Sequence, residues 1–213
     1  AIKPLYWDVR LGIIASELRA IEVVNLHLKL DYHYLSNVRK WGYDPRGDTP
    51  YIGVQKLRAG YCYTFNKGEL QSAYRYFPML PVLPDIDLRG AIVKATVDRL
   101  VSDLPYGVLC SGGLDSTIVA LIAAQQGTPL TVFHVDNDEA EYVEAIPWPA
   151  NVTLTKLKLK PASLEDALKA TEEPVDLGSV LPQYQLGEAV QEAGFSVALS
   201  GDGADELFGG YRR

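Results

Sequence analysis

The sequence is poor in sulfur-containing residues and has no long apolar run. Of its 213 residues, two are cysteine and one is methionine. Two thiols are too few for a disulfide framework or for a zinc site built from cysteine alone, so we expect a reducing, cytoplasmic setting. No stretch approaches the ~18 consecutive apolar residues of a transmembrane helix, which predicts no membrane partner.

Positive charge is also in short supply. The 20 lysine and arginine residues are outnumbered by 27 aspartate and glutamate residues, and the formal net charge is −7. This acidic balance disfavours a broad nucleic-acid surface, so we expect no nucleic-acid partner. Hydrophobic residues make up 47% of the chain and aromatic residues 10%, which is typical of a folded globular protein and argues against disorder.

A proline-rich stretch divides the sequence. The prolines at 78, 81 and 84 fix φ and remove backbone donors, so neither a helix nor a central strand is expected there. We therefore predict three parts: a small β-rich domain over 1–77, a linker over 78–85 and a second domain over 86–213.

The first part contains signals for short strands, helices and a hairpin. Leu5–Arg10 and Gly12–Ala15 have the pattern of strands around a turn, and Ser16 and Asp31 each stand where they can cap a helix. Residues Tyr61–Phe65 alternate aromatic and smaller side chains, and the Asn-Lys-Gly turn that follows predicts a β-hairpin.

After the prolines, short apolar strands alternate with helices. Strands are expected at Tyr106–Cys110, Leu130–Val135, Asn151–Leu159 and Ser196–Ser200. Such alternation predicts an α/β fold with a parallel sheet and helices on both faces. The lysines at 156, 158 and 160 alternate with leucines, which is compatible with an anion-binding patch or with the solvated face of a strand near a sheet edge.

The first chemical motif, Ser111–Ser116 (Ser-Gly-Gly-Leu-Asp-Ser), follows a strand and opens a helix. Unpaired N–H groups and the helix dipole favour anions at that position, and Gly112 and Gly113 let the backbone approach phosphate oxygens closely. The motif contains no lysine, unlike a Walker A loop, so a metal ion held by Asp115 is the natural source of neutralising charge.

The second chemical motif, Ser200–Tyr211, also follows a strand. Asp202, Asp205 and Glu206 have spacings that allow one helical face to carry all three carboxylates. Neighbouring carboxylates repel, so a metal ion or a cationic substrate is expected beside them. The alternative is that these residues form a solvated acidic helix start with no ligand, since acidic residues are favoured in the first turn of a helix.

Together these motifs resemble those of asparagine synthetase, and the first resembles the pyrophosphate loop of the N-type ATP pyrophosphatases. The resemblance continues through Phe133-His134-Val135, which resembles the strand whose backbone meets the adenine. Glu173-Pro174-Val175-Asp176 and Leu181-Pro182-Gln183-Tyr184 resemble the segment lining the substrate side of that family's site. Before the prolines, Ile2–Trp7 and Gly53–Tyr61 look like the later part of the family's Ntn glutaminase-like domain.

This resemblance implies an adenine nucleotide alpha hydrolase-like fold, with ATP and Mg²⁺ as cofactors and aspartate and ammonia as substrates. It implies catalytic roles for Asp202, Asp205 and Glu206 and metal ligation by Asp115 and Asp205. The implied nucleotide-binding residues are Leu109, Ser111, Gly112, Gly113, Asp115, Ser116, Val135, Ser200 and Gly201. The implied reaction is adenylation of the aspartate side chain, followed by attack of ammonia.

The sequence departs from the family pattern in two places. The family's glutaminase uses an N-terminal cysteine, whereas residue 1 here is Ala1, and we expect Cys62 and Cys110 to be buried packing residues. We therefore expect no glutaminase activity. The family's C-terminal helical part, which carries a lysine used in adenylation, is also expected to be absent, with Arg212 and Arg213 the nearest cations.

Several alternatives stay open from the sequence. A complementary glutaminase chain and a homodimer are both compatible with it. A relative that adenylates another acid, such as a β-lactam synthetase or a lasso-peptide cyclase, uses the same chemistry and also carries a non-functional glutaminase-like domain. A non-catalytic nucleotide-binding module is the alternative outside enzymology.

Overall fold

A computed structural model describes residues 3–77, 87–173 and 177–211. The strands, in chain order, are β1 (Tyr6–Asp8), β2 (Ile13–Ala15), β3 (Val54–Lys56), β4 (Tyr61–Asn66), β5 (Glu69–Arg75), β6 (Tyr106–Leu109), β7 (Leu130–Val135), β8 (Val152–Leu157) and β9 (Val197–Leu199). The helices are α1 (Leu18–Val24), α2 (Tyr32–Trp41), α3 (Leu88–Val97), α4 (Leu114–Ala124), α5 (Ala140–Glu144), α6 (Leu164–Ala170), α7 (Leu177–Glu192) and α8 (Ala204–Phe208). Within the described ranges, no helix combines the length and the apolar character needed to cross a membrane.

The chain divides into two compact units. The first contains residues 1–83 and 162–182, and the second contains residues 84–161 and 183–213. The predicted linker, 78–85, lies outside the described residues. The units differ from the division expected from the sequence in one respect, because 162–182 belongs to the first unit and not to the domain that follows the prolines.

The first unit has an antiparallel sheet and a hairpin. In the sheet, β1 lies between β2 and β3, and its core contains Tyr6, Leu18, Ile21 and Val54. β4 and β5 form the expected hairpin, whose turn residues both have positive φ, as a type I′ turn requires. The expected strand pair and hairpin are therefore present, whereas β3 was not expected.

Helix capping in the first unit bears out one expectation and corrects another. The Asp31 side chain caps α2 by accepting hydrogen bonds from the N–H groups of His33 and Tyr34. The expectation that Ser16 caps α1 is wrong, because Glu17 occupies the N-cap position and makes no side-chain capping bond. Because Glu17 is extended and directly precedes the helix, Ser16 lies one position too early in the chain to cap α1.

Two glutamates tie the segment after α6 to the rest of the first unit. The Glu173 carboxylate accepts hydrogen bonds from Tyr6 Oη at 2.7 Å and from Lys56 Nζ at 2.8 Å. The Glu172 carboxylate accepts a hydrogen bond from Leu18 N at 3.1 Å. Burial and the hydrogen bond to Glu173 raise the pKa of the Tyr6 hydroxyl well above its usual range. These contacts explain why 162–173 groups with the β-rich unit.

The second unit is a parallel four-stranded sheet in the order β8-β7-β6-β9. On one face, Val108 and Val132 pack against Ala120 and Ala123 of α4. On the other face, Phe133 packs in a cluster with residues of α7, including Val190. Successive strand residues point to opposite faces, so these two clusters place helices on both faces of the sheet. The predicted α/β fold class is therefore confirmed.

β8 forms one edge of this sheet, and two lysines, one within β8 and one three residues after it, pair with carboxylates. Lys156 Nζ lies 2.8 Å from Glu144 Oε1 and 3.6 Å from Asp136 Oδ1, while Lys160 Nζ lies 2.6 Å from Glu192 Oε2. This arrangement fits the solvated-edge interpretation of the alternating lysines, since charged side chains on an edge strand discourage pairing with another chain.

Candidate functional site

A cavity of about 670 Å³ opens at the carboxyl ends of the parallel strands of the second unit. Its walls come from the loops that follow β6, β7 and β9, together with one side of α7. β6 has β7 on one side and β9 on the other, so the direction of chain winding reverses at β6. Open α/β sheets bind ligands in the crevice at such a switch point.

The cavity brings the two sequence motifs together. All of the predicted site residues except Gly112 line it, namely Leu109, Ser111, Gly113, Asp115, Ser116, Val135, Ser200, Gly201, Asp202, Asp205 and Glu206. Gly112 is turned toward α5, where a Cβ atom at this position would lie 3.1 Å from Tyr142 Cβ. Residues that are about 90 positions apart in the sequence thus surround one space.

The loop between β6 and α4 has the geometry of an anion-binding helix start. Gly113 is the N-cap of α4 and makes no side-chain capping bond, so the first N–H groups of the helix are left for a ligand. The hydroxyls of Ser111 and Ser116 lie 3.1 Å apart, and Ser116 Oγ accepts a hydrogen bond from Ser111 N at 3.1 Å. Two hydroxyls and a helix N-terminus therefore face the cavity.

Gly201 allows the second motif to approach this loop closely. A Cβ atom at Gly201 would lie 2.6 Å from Ser116 N and 2.9 Å from Asp115 C, and both distances are shorter than real Cβ contacts. Because these neighbours are backbone atoms, no side-chain rotation relieves the overlap. The absence of a side chain at 201 is what lets the loop after β9 lie against the start of α4.

The acidic residues of the second motif differ in their settings. α8 begins at Ala204, so Asp202 lies in the preceding turn, where its carboxylate accepts a hydrogen bond from Ser200 Oγ at 2.9 Å. The expectation of one helical face carrying all three carboxylates is therefore wrong, because Asp202 precedes the helix. Tyr211 Oη donates a 2.6 Å hydrogen bond to Glu206 Oε1, and this bond lowers the pKa of the Glu206 carboxyl.

The cavity wall is strongly acidic. Its carboxylates belong to Asp115, Glu139, Asp202, Asp205 and Glu206, and none of the described lining residues is lysine or arginine. Within the described part of the chain, no group of three or more His, Cys, Asp or Glu side chains is arranged to hold a metal ion by itself. Mg²⁺ is commonly bound by one or two carboxylates together with substrate phosphates, and the carboxylates of this cavity wall could bind Mg²⁺ in that manner.

Several lining residues are not among the predicted site residues. Asn137 and Glu139 follow β7, so their position after a parallel strand was a usable signal. Gln183 and Leu186 reach the cavity from α7. Gln183 belongs to the segment 181–184 that resembles the substrate-side lining, whereas the place of Leu186 depends on tertiary packing. Cys110, 2% exposed, is buried as expected and also lines the cavity, whereas Cys62 is only half-buried.

His134 is a further unexpected lining residue. It lies in β7, is 4% exposed, and its Nε2 lies 3.9 Å from Glu144 Oε1. Its Nδ1 atom is buried without a hydrogen-bond partner among the described residues. Nε2 is the ring nitrogen of His134 that lies near a charged group, the Glu144 carboxylate.

Glu173 belongs to the first unit. It is not among the described lining residues, and its carboxylate is engaged by Tyr6 and Lys56 of the first unit. Residues 174–176, which share its resemblance to a substrate-side segment, lie outside the described residues, as do Arg212 and Arg213. The function of the chain is therefore inferred from the two motifs that surround the cavity.

Comparison with known proteins agrees with these motifs. A model of the asparagine synthase family matches residues 87–213, which include both motifs and the whole cavity wall. The chain belongs to the asparagine synthase family. The four-stranded parallel sheet with flanking helices is accordingly the adenine nucleotide alpha hydrolase-like fold of that family's synthetase domain.

Individual relatives extend the similarity beyond the matched domain. A glutamine-hydrolyzing asparagine synthetase 2 of Arabidopsis thaliana is 30% identical over an alignment that covers 71% of this chain and 30% of the relative. The asparagine synthetase of Sandersonia aurantiaca is 28% identical over 71% of this chain and 34% of the relative. The root asparagine synthetase of Pisum sativum is 33% identical over 63% of this chain and 26% of the relative. The chain thus spans about a third or less of the length of these relatives.

Proposed function

We propose that this chain is the nucleotide-binding part of an ATP-dependent amide-forming ligase. In this proposal, the side-chain carboxylate of aspartate is adenylated and then attacked by ammonia. The observation that carries it is the cavity at the switch point of the parallel sheet, where the Ser111–Ser116 loop meets the acidic Ser200–Tyr211 segment.

The phosphates of ATP would lie at the N-terminus of α4. The free N–H groups there, with the hydroxyls of Ser111 and Ser116, supply donors to phosphate oxygens. Leu109 and Val135 are the last residues of β6 and β7, Gly201 lies in the loop after β9, and all three would contact adenosine through backbone atoms. The family resemblance and the position of these three residues in the cavity wall support this assignment.

The acidic wall requires positive charge before a nucleotide can bind. Five carboxylates would repel the phosphates of ATP, and no described lining residue is lysine or arginine. Asp115 and Asp205 would hold Mg²⁺, which supplies positive charge to the departing pyrophosphate. This need for a counterion is the physical reason for including magnesium in the proposal.

The chemistry would proceed in two steps. A carboxylate oxygen of aspartate attacks the α-phosphorus of ATP, the bond to the bridging oxygen breaks, and pyrophosphate leaves with that electron pair. Ammonia then attacks the activated carbonyl carbon, AMP leaves, and the nitrogen loses a proton. Asp202, at the cavity wall, would orient the incoming amine or accept this proton, and Glu206 would contact the amino group of aspartate.

The test measures pyrophosphate release from ATP in the presence of ammonia, with and without aspartate. Aspartate-dependent release supports the proposal. Release that depends on a different acid would instead assign the chain to a relative with another substrate. ATP binding without any release would identify a non-catalytic nucleotide-binding module.

Asp115→Asn tests the metal ligand itself. Loss of a metal-binding carboxylate removes several kcal/mol of transition-state stabilisation, so we expect pyrophosphate release to fall by a factor of about 100 or more. The circular dichroism spectrum should stay unchanged. Asp103→Asn is the matched control, because Asp103 is exposed and is not among the described lining residues. Near-parental release by Asp115→Asn would contradict the assignment of Asp115.

A further inference from the structure

The chain folds back on itself immediately after α8. Gly209 ends this helix with φ of 72°, and its N–H donates to Asp205 O at 2.8 Å. Gly210 N donates to the same carbonyl oxygen at 3.1 Å. A Cβ atom at Gly210 would overlap Asp205 Oδ1, so a side chain there would push against a carboxylate of the cavity wall.

This reversal brings Tyr211 to Glu206. The Tyr211 hydroxyl donates to Glu206 Oε1 at 2.6 Å, and both residues line the cavity. A hydrogen bond from a neutral hydroxyl to a carboxylate favours the ionised acid and limits its rotation. The bond occupies one oxygen of the carboxylate and leaves Oε2 for a ligand.

We propose that Tyr211 is a positioning residue that orients the Glu206 carboxylate toward the ammonium group of the amino-acid substrate. This inference rests on the proposed function, because it assigns the amino group of that substrate to Glu206. The glycine pair at 209 and 210 has a corresponding role, since it is the turn that returns Tyr211 to the helix.

The first experiment requires no turnover. Binding of aspartate to the full chain, in the presence of Mg²⁺ and a non-hydrolysable ATP analogue, is measured by calorimetry. Tyr211→Phe removes only the hydroxyl and should raise the Kd for aspartate by between about 2- and 10-fold. Tyr76→Phe is the control, because Tyr76 is 63% exposed and lies outside the cavity wall. An unchanged Kd for aspartate in Tyr211→Phe would overturn the proposal.

The second experiment separates substrate binding from chemistry. One lost hydrogen bond should raise the KM for aspartate by between about 2- and 10-fold, with kcat and the KM for ATP unchanged. In a Glu206→Gln background, Tyr211→Phe should have no further effect on the KM for aspartate.

Two kinetic results would overturn the inference. The first is a fall in kcat with an unchanged KM for aspartate, and the second is an equal effect of Tyr211→Phe in the Glu206→Gln background. Pyrophosphate release by the parental chain separates failure of this inference from failure of the proposed function. If the parental chain releases no pyrophosphate, the proposed reaction fails, while the binding of aspartate to the parental chain and to Tyr211→Phe still decides whether Tyr211 positions Glu206.

Discussion

Adding one methyl group at position 201 should damage both the stability and the chemistry of the second unit. In Gly201→Ala the new Cβ atom would lie 2.6 Å from Ser116 N. Ordinary van der Waals contact begins at about 3.4 Å, so backbone must move by 3.4 − 2.6 = 0.8 Å at this point. The neighbour is the first turn of α4, which carries the free N–H groups of the proposed phosphate site.

Two magnitudes follow from this displacement. Overpacking a tight contact costs ~1–3 kcal/mol, so the free energy of unfolding should fall by that amount. A misplacement of about 1 Å between reacting groups costs a factor of about 100 in rate, so pyrophosphate release should fall by nearly that factor. The first is measured by urea denaturation followed by circular dichroism, and the second by a pyrophosphate assay at saturating ATP.

Gly187→Ala is the matched control. Gly187 lies inside α7, and a Cβ atom there would meet nothing within 4 Å. Replacing a helical glycine by alanine in open space should stabilise the chain by ~0.5–1 kcal/mol and leave pyrophosphate release unchanged. If Gly201→Ala matched the parental chain in both assays, the close approach of the two motifs would not be needed for either property, and the reasoning would be refuted.

Two further predictions concern the first unit. Tyr51 Oη donates to Glu22 Oε1 at 2.7 Å, and burial, followed by this bond, raises the pKa of Tyr51 to about 12. The stabilising effect of the neutral Tyr51 hydroxyl is therefore fully present below pH 10 and is lost as the pH rises through about 12. Between pH 9 and pH 11, the free energy of unfolding measured with urea should fall less in Tyr51→Phe than in the parental chain. Asp31→Ala should lower the free energy of unfolding by ~1 kcal/mol by removing the cap of α2. Asp31→Asn should retain most of that stability in the same urea titration, because the amide oxygen accepts the same bonds, and equal loss in both variants would contradict the capping role.

The second unit was largely predictable because its local signals agree with one another. β7 has the predicted limits, Leu130–Val135, and β6 ends one residue before the predicted Cys110. Both strands are short apolar runs bounded by turn residues, and the helices between them end close to glycines such as Gly127. When strand, turn and helix signals alternate in this way, a parallel sheet is the only common arrangement that satisfies them.

The first unit was less predictable because its elements are short and depend on distant partners. β3 has three residues, and it forms a strand by pairing with β1, about 45 positions away. The helix α7 shows a related difficulty. Proline lacks an N–H and is disfavoured inside helices, yet the helix extends from Leu177 to Glu192 with Pro182 inside it. Tertiary packing overrides the local preference in both cases.

Part of the candidate site could be predicted from local sequence pattern, and the rest depends on the order of the strands in the sheet. That each motif follows a strand could be read from the sequence, and it places both motifs at the same edge of any parallel sheet. That they meet depends on β9, the last strand, lying beside β6, the first strand of the sheet. With β9 beside β8 instead, two strands would separate Gly201 from Ser116, and the same motifs would not share a cavity. Glycine is required at 201 because β9 lies beside β6, which brings the backbone of Gly201 against the first turn of α4.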